Sequence, residues 1–385
     1  MIKNNICGEI KIISPDDNYH YFFGYYDMKA ESLGRHLCHR VSFMDRLPES
    51  NDIAEIGYLK DRKFYKIGET TAWNFQQGAM LKFSDTSDDT IYYNVVKDGK
   101  AVTLTQNIVT GEKKYTDRAA ASISSDGRYG LGISFSRIYD FRPGYGYAGM
   151  PDPYASENVP VNDGVFLIDM EKGTSRLIID YPRLAKMSGF GEDEKVLVNH
   201  ITFSPDSKSF IMLVRSFPRP ETPWRTSLVR GDIDGNIFPI FKKTYASHYS
   251  FANENEIVIH CTADNFSNPW NEKRSLYRID LETNEYKEYV MPNPGDDIHC
   301  NVSPCKNYIV GDGYEVNGYR PLWAYNISTG EAKKLFDAFT VVPDIIDIRC
   351  DLHARYVKGG QSITFDTTHN KKREIAEFSF EQPGL

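Results

Sequence analysis

The sequence has no apolar run of membrane-spanning length, which excludes a transmembrane helix. It has no surplus of positive charge: 45 Lys and Arg stand against 53 Asp and Glu, a formal charge of −8. A general nucleic-acid binder needs a basic face, so that class is excluded. The first residues, Met1 to Ile13, lack a basic segment, an apolar core and a small-residue cleavage site. No secretory signal is therefore expected, and the expected location is cytoplasmic. The six cysteines (Cys7, Cys38, Cys261, Cys300, Cys305, Cys350) contain no CxxC pair and are expected to be reduced, buried thiols. No GxSxG is present, so nucleophilic serine catalysis has no local support. Long helical periodicity is nearly absent as well.

What remains is aromatic and strand-like. Aromatics make up 13% of the chain, with 25 Tyr and 22 Phe, which favours strands and sugar-stacking surfaces over helical bundles. Short alternating segments separated by turn residues run from end to end. One hairpin unit recurs as NIVTG (107–111), DMEKG (169–173), DIDGN (232–236), DLETN (280–284) and NISTG (326–330). Its Asp or Asn and its Gly or Asn suit tight turns. A second unit precedes these and carries His200, His248, His299 and His353 in one register, at intervals of 48, 51 and 54 residues. Looser copies near Tyr26, Gln77 and Arg118 bring the count to seven units averaging 55 residues. Four-stranded units at that period predict a single all-β domain over 1–385, a seven-bladed β-propeller of antiparallel blades. The last unit supplies only three strands, so the N-terminal strand Gly8–Ile13 is expected to complete it and close the ring, removing two open edges.

This geometry sets the four histidines around the top of the central channel. The second strand of each blade returns Arg215, His260, Asp312 and His369 towards the same face, further out. An insertion over residues 137–163 in blade three belongs to that face too. With Phe141, Tyr145, Tyr147 and Tyr154 it is expected to be an ordered lid.

Convergent His, Arg, Tyr and Gln at a channel mouth suit β-elimination at a uronic acid. Histidine supplies a base near neutral pH for the proton beside the carboxylate. Arginine or a metal neutralises the charge that develops, and a tyrosine or second histidine protonates the leaving oxygen. Arg215 reads equally as a surface ion pair or a carboxylate clamp. The histidine cluster is compatible with a divalent metal, though no HxH or HExxH marks one. Trp73, Tyr145, Tyr147 and Trp224 can stack on sugars or pack between blades. Glycoside hydrolysis needs paired carboxylates, and Asp27, Asp117 and Asp351 serve equally well to orient a neighbouring His or Arg. A repeat histidine that only bonds the next blade is the plain alternative.

The segments NHITFSPD (199–206), SHYSF (247–251), HCNVS (299–303) with VGDG (310–313), and RCDLH (349–353) with FDTTH (365–369) resemble the seven-bladed propeller polysaccharide lyases, above all the oligogalacturonate lyases. WNFQQGAML (73–81) and RPGYGYAGMPDP (142–153) resemble propellers related to these and to ulvan lyases. The resemblance implies cleavage of short uronate oligosaccharides, an anionic substrate, by β-elimination. By position it implies His248 as base, Arg215 as the carboxylate-binding arginine, and His299 and His353 as two ligands of a manganese-type site. Two further ligands of that pattern are replaced here by Arg349 and Arg355, which suggests that Arg349 or Arg355 neutralises the substrate carboxylate directly.

The resulting expectation is a carbon–oxygen lyase. His248 or His200 is its base, Tyr26, Tyr249 or the other histidine its acid, and Arg215, Arg118 and Arg349 hold the carboxylate. Trp73, Gln77, Arg355 and Tyr147 complete the substrate contacts. The rivals are a non-catalytic glycan- or protein-binding propeller and a glycoside hydrolase on the same scaffold.

Overall fold

The computed structural model describes residues 2–4, 8–220, 224–262, 274–291 and 297–380. Its strands form seven antiparallel sheets arranged as propeller blades. From blade one to blade seven, the innermost strands are His20–Phe22, Lys82–Phe83, Ala120–Ile123, Val196–Phe203, Ala246–Asn253, Ile298–Val302 and Arg355–Val357. Blade seven is completed as the sequence predicts: Gly8–Ile12 pairs antiparallel with Glu374–Phe380, with Ile10 opposite Phe378. An additional strand, Ile2–Asn4, extends the outer edge of blade six by pairing with Ala332–Phe339.

The hairpin repeat works as its chemistry requires. The side-chain Oδ1 of Asn107, Asp169, Asp280 and Asn326 accepts from the backbone N–H groups two and three residues on. The turn then closes through a left-handed residue, Gly111 at φ 77° or Asn284 at φ 60°. Burial follows strand position. Ser209–Ser216, the second strand of blade four, is buried at every residue because neighbouring blades cover both of its faces. The outer strand Lys63–Thr70 is mostly open to solvent.

The cores lie between blades. Phe22, Trp73 and Phe75 anchor blades one and two, and Phe336, Phe365 and Phe378 join blades six and seven. Among the described residues there are two α-helices, Phe135–Phe141 and Tyr181–Ser188, and neither is long enough to cross a membrane. The first belongs to the segment between Tyr129–Gly132 and Gly164–Asp169 of blade three. That segment is ordered around Arg137, whose guanidinium is fully buried, pairs with Asp152 at 3.1 Å and donates to three backbone carbonyls besides that of Val196. The described cysteines are unpaired; Cys38, Cys261, Cys300 and Cys350 are buried, whereas Cys305 sits in an exposed turn, contrary to expectation. Cys7 lies outside the described residues.

Candidate active site

Two features of the inner strands shape the channel mouth. The pairing of Val196–Phe203 with its neighbour slips at Asn199, and that of Ala246–Asn253 slips between Ala246 and Tyr249. Such bulges re-aim side chains, and these two sit where His200 and His248 project. His353 precedes its strand at φ 45° and is fixed there because its backbone N–H donates to Asp312 at 2.9 Å. The channel itself is stopped by the segment Tyr25–Asp27. Gly24, at φ 114°, lets this segment pass against the Gln77 backbone; a Cβ there would lie 2.8 Å from the Gln77 carbonyl carbon.

Above the stop lies a narrow pocket of about 50 Å³ lined by residues including Gln77, Arg142, Tyr145, Arg215, Trp224 and His248. On one wall, Asp297 holds a cluster together. His248 Nδ1 is 3.2 Å from Asp297 Oδ2, and His260 Nδ1 is 2.8 Å from Oδ1. Ser247 Oγ and Tyr245 O–H donate to the same Oδ2 at 2.5 and 2.8 Å. Burial, reinforced by His299, lowers the His248 imidazole to about 4, so it is neutral at neutral pH. Burial alone would raise the Asp297 carboxyl, but His248 and His260 hold it well below the usual carboxylate range. Facing this cluster, Arg215 is buried and has no carboxylate within ion-pair distance among the described residues. Its polar contact is a long one, 3.5 Å to the Ala246 carbonyl, and its Nε is unbonded. Burial, and then the guanidinium of Arg142, lowers its pKa from the ordinary value.

Beside His248 the imidazoles continue: ring centroids are 3.9 Å apart from His248 to His299 and 4.4 Å from His299 to His353. His299 Nδ1 is 3.0 Å from Asp312. On its other side, His299 Nε2 and His353 Nε2 each lie 3.9 Å from Asp351 Oδ2. His299 Nε2 is buried without a hydrogen bond, and one donor atom each from His299, Asp351 and His353 lie within 4.8 Å of one another. Two imidazoles and a carboxylate are a donor set that suits manganese or iron. Arg320 and Arg349 flank the carboxylate, each with a nitrogen 2.8 Å from it. Burial alone would lower the His299 imidazole, but Asp312 and Asp351 raise it.

The other expected site residues separate into two groups. Gln77 and His200 line the pocket, and His200 Nε2 points down to Asp27 at 3.4 Å. Tyr26 and Tyr249 lie below the mouth, where their hydroxyls donate to the carbonyls of Tyr249 and Ile211 at 2.8 and 2.9 Å. Arg349 is bound to Asp351 and donates to the Tyr145 hydroxyl at 3.0 Å. Arg355 pairs with Asp366 at 3.0 Å, on the far side of the stop, where that carboxylate also takes the backbone N–H groups of Phe23 and Gly24. Arg118 is tucked 3.5 Å over the Phe166 ring in blade three. Trp73 donates its indole N–H to the Asp52 carbonyl within the first core, and Tyr147 stacks on Phe135 at 4.3 Å. Of the four stacking candidates, Tyr145 and Trp224 line the pocket. His369 stands apart from the cluster, beside Glu374.

Sequence reasoning did not single out Asp297, Tyr245, Tyr314 or Arg142. One signal was there: Asp297 is two residues before His299, at the entry to the strand Ile298–Val302, so extended backbone puts both side chains on the same side.

Neither protein-family models nor curated proteins give a match to this chain. Solved structures do. The chain is similar to an oligogalacturonate lyase from Vibrio parahaemolyticus, at 15% identity and TM-score 0.63, over 98% of both chains. It is similar to an oligogalacturonate lyase in complex with manganese, at 14% identity and TM-score 0.64, over 99% of both. The tricorn protease shares the fold at 12% identity and TM-score 0.54, over 97% of this chain and 34% of that one. At these identities the likeness establishes the seven-bladed fold and leaves function to the site.

Proposed function

We propose that the protein is a lyase that cleaves a uronate-containing oligosaccharide by β-elimination at the top pocket. The observation that carries this reading is a neutral buried imidazole, His248, across a small pocket from Arg215, a buried guanidinium with no carboxylate partner among the described residues. A desolvated, unpaired arginine is a strong and directional receptor for an incoming carboxylate. In the reaction the His248 imidazole takes the C5 proton, the C4–O bond breaks, and a C4=C5 double bond forms. The departing oxygen takes a proton from a pocket phenol. Tyr145 is suited to this, because its oxygen accepts from Arg349 and its own O–H has no acceptor among the described residues. Arg215 holds the substrate carboxylate while its charge develops. Both the similarity to oligogalacturonate lyases over nearly the whole chain and the fact that Asp297 is the only carboxylate among the described residues lining the pocket support elimination over hydrolysis. Asp297 and Asp351 are both held well below the ordinary carboxylate range, and neither can serve as a protonated acid at neutral pH.

His299, His353 and Asp351 fit a divalent cation, on the ground of three buried donor atoms gathered within 4.8 Å and the unbonded His299 Nε2. When bound, it would supply positive charge next to the substrate carboxylate. Arg349, paired with Asp351, then balances the site rather than meeting substrate alone. The test is ultraviolet absorbance during incubation with a panel of uronate oligosaccharides. A rise reports the unsaturated product; a flat trace with glycan binding intact turns the reading to a binding propeller, and reducing sugar without absorbance turns it to a hydrolase.

A further inference from the structure

We infer that Asp297 is a positioning residue that locks His248 in the Nδ1–H tautomer and so presents the bare Nε2 lone pair to the pocket. This rests on the lyase reading for its catalytic meaning, but its structural content stands alone. The argument is a count of protons. Ser247 Oγ lies 2.5 Å from Asp297 Oδ2, and Tyr245 Oη lies 2.8 Å from the same oxygen. A carboxylate has no proton to give, so both hydroxyl protons point at Asp297. The Ser247 hydroxyl is therefore spent as a donor, and its contact with His248 Nδ1 at 3.1 Å is held by the imidazole's own proton. That proton also faces Asp297 Oδ2 at 3.2 Å. With the imidazole's one proton on Nδ1, Nε2 carries the lone pair. No described residue bonds Nε2, and His248 lines the pocket.

The second oxygen explains why the carboxylate does not swing. Asp297 Oδ1 takes the N–H of Ile298 at 2.9 Å and faces Nδ1 of the fully buried His260 at 2.8 Å. His260 comes from the second strand of the same blade as His248, and Asp297 leads into the next blade. The orientation of the imidazole is thus set by a contact between blades five and six. The arrangement matches the general logic of a carboxylate that orients a base it never protonates.

Two measurements test it. In protein labelled with nitrogen-15 at histidine, two-bond correlations at neutral pH report the tautomer, with His248 assigned by its disappearance in His248→Gln. A protonated Nδ1 and bare Nε2 are expected; the opposite tautomer overturns the proposal whether or not the protein has any lyase activity. Asp297→Asn keeps the shape and is expected to lower kcat about a hundredfold or more with KM nearly unchanged, and to shift His248 towards the other tautomer. Folded Asp297→Asn protein with full kcat and an unchanged tautomer overturns it. If that variant does not fold, the wild-type spectrum alone decides. A wild-type protein with the expected tautomer but no unsaturated product sinks the lyase reading and leaves the positioning role standing.

Discussion

His39 and His248 are both buried imidazoles lowered to about 4, His39 by burial and His248 by burial and His299, yet they have different roles. His39, in blade one, is closed on both sides. Its Nε2 accepts from the Ala79 N–H at 2.9 Å, its Nδ1 faces the Phe22 carbonyl at 3.3 Å, and its ring stacks on Phe22 at 4.8 Å. It ties blade one to blade two and has nothing left to offer a substrate. His248 is tied at Nδ1 and open at Nε2, beside a pocket that also holds Arg215. A lowered pKa thus marks burial in both places. What distinguishes a reactive group from a structural one is the unspent valence.

The comparison breaks most sharply in activity. His248→Ala is expected to lower turnover by a factor of about 10²–10⁴ while the fold is kept, whereas His39→Ala keeps kcat in the fraction that remains folded. Steady-state absorbance assays on both, with circular dichroism, decide; a folded His39→Ala with lost turnover would erase the distinction. Next comes the arginine pair. Arg215→Lys is expected to raise KM and lower kcat, roughly tenfold or more overall, because a lysine cannot reproduce a bidentate clamp. Arg355→Lys, whose parent already belongs to Asp366, should alter the melting temperature and leave KM in place.

Stability changes are the next in size. His39→Ala leaves the Ala79 N–H without its imidazole partner, at about 1–3 kcal/mol, which denaturant titration reads directly. The pH dependence has a definite sign. The folded His39 value lies below the unfolded one, so the unfolded chain binds the extra proton between about pH 6.5 and 4. That contribution is complete above pH 6.5 and is lost as the pH falls towards 4. Asn or Gln at position 39 should flatten the acid limb of the stability curve relative to the parent protein. An effect of similar size concerns the cation. Manganese added to chelator-treated protein is expected to raise the melting temperature, equivalent to about 2.7 kcal/mol at a hundredfold excess over Kd, and Asp351→Asn should abolish the shift. No shift in the parent protein would remove the metal from this site.

Blade number, hairpin turns and ring closure were legible because each depends on residues close in sequence. An Asp or Asn that bonds two and three residues ahead makes its turn wherever it stands, and Gly8–Ile12 was identifiable as the missing strand by simple count. The histidine register was legible for the same reason. Which of those histidines is open was not. Trp73 and Tyr147 look like sugar platforms in a list of aromatics, but each is walled into a core by neighbours far along the chain. Arg355 follows a site histidine closely yet turns to Asp366 beyond the channel stop.

The sequence by itself determined a seven-bladed ring with four histidines in one register, because strand alternation and turn chemistry are local and periodic. Only the tertiary structure decided that Asp297 belongs to His248 across a blade boundary and that Arg215 has no counter-charge among the described residues. Those facts depend on which charges meet when the ring closes, and partners brought together from different blades carry no local pattern to announce them.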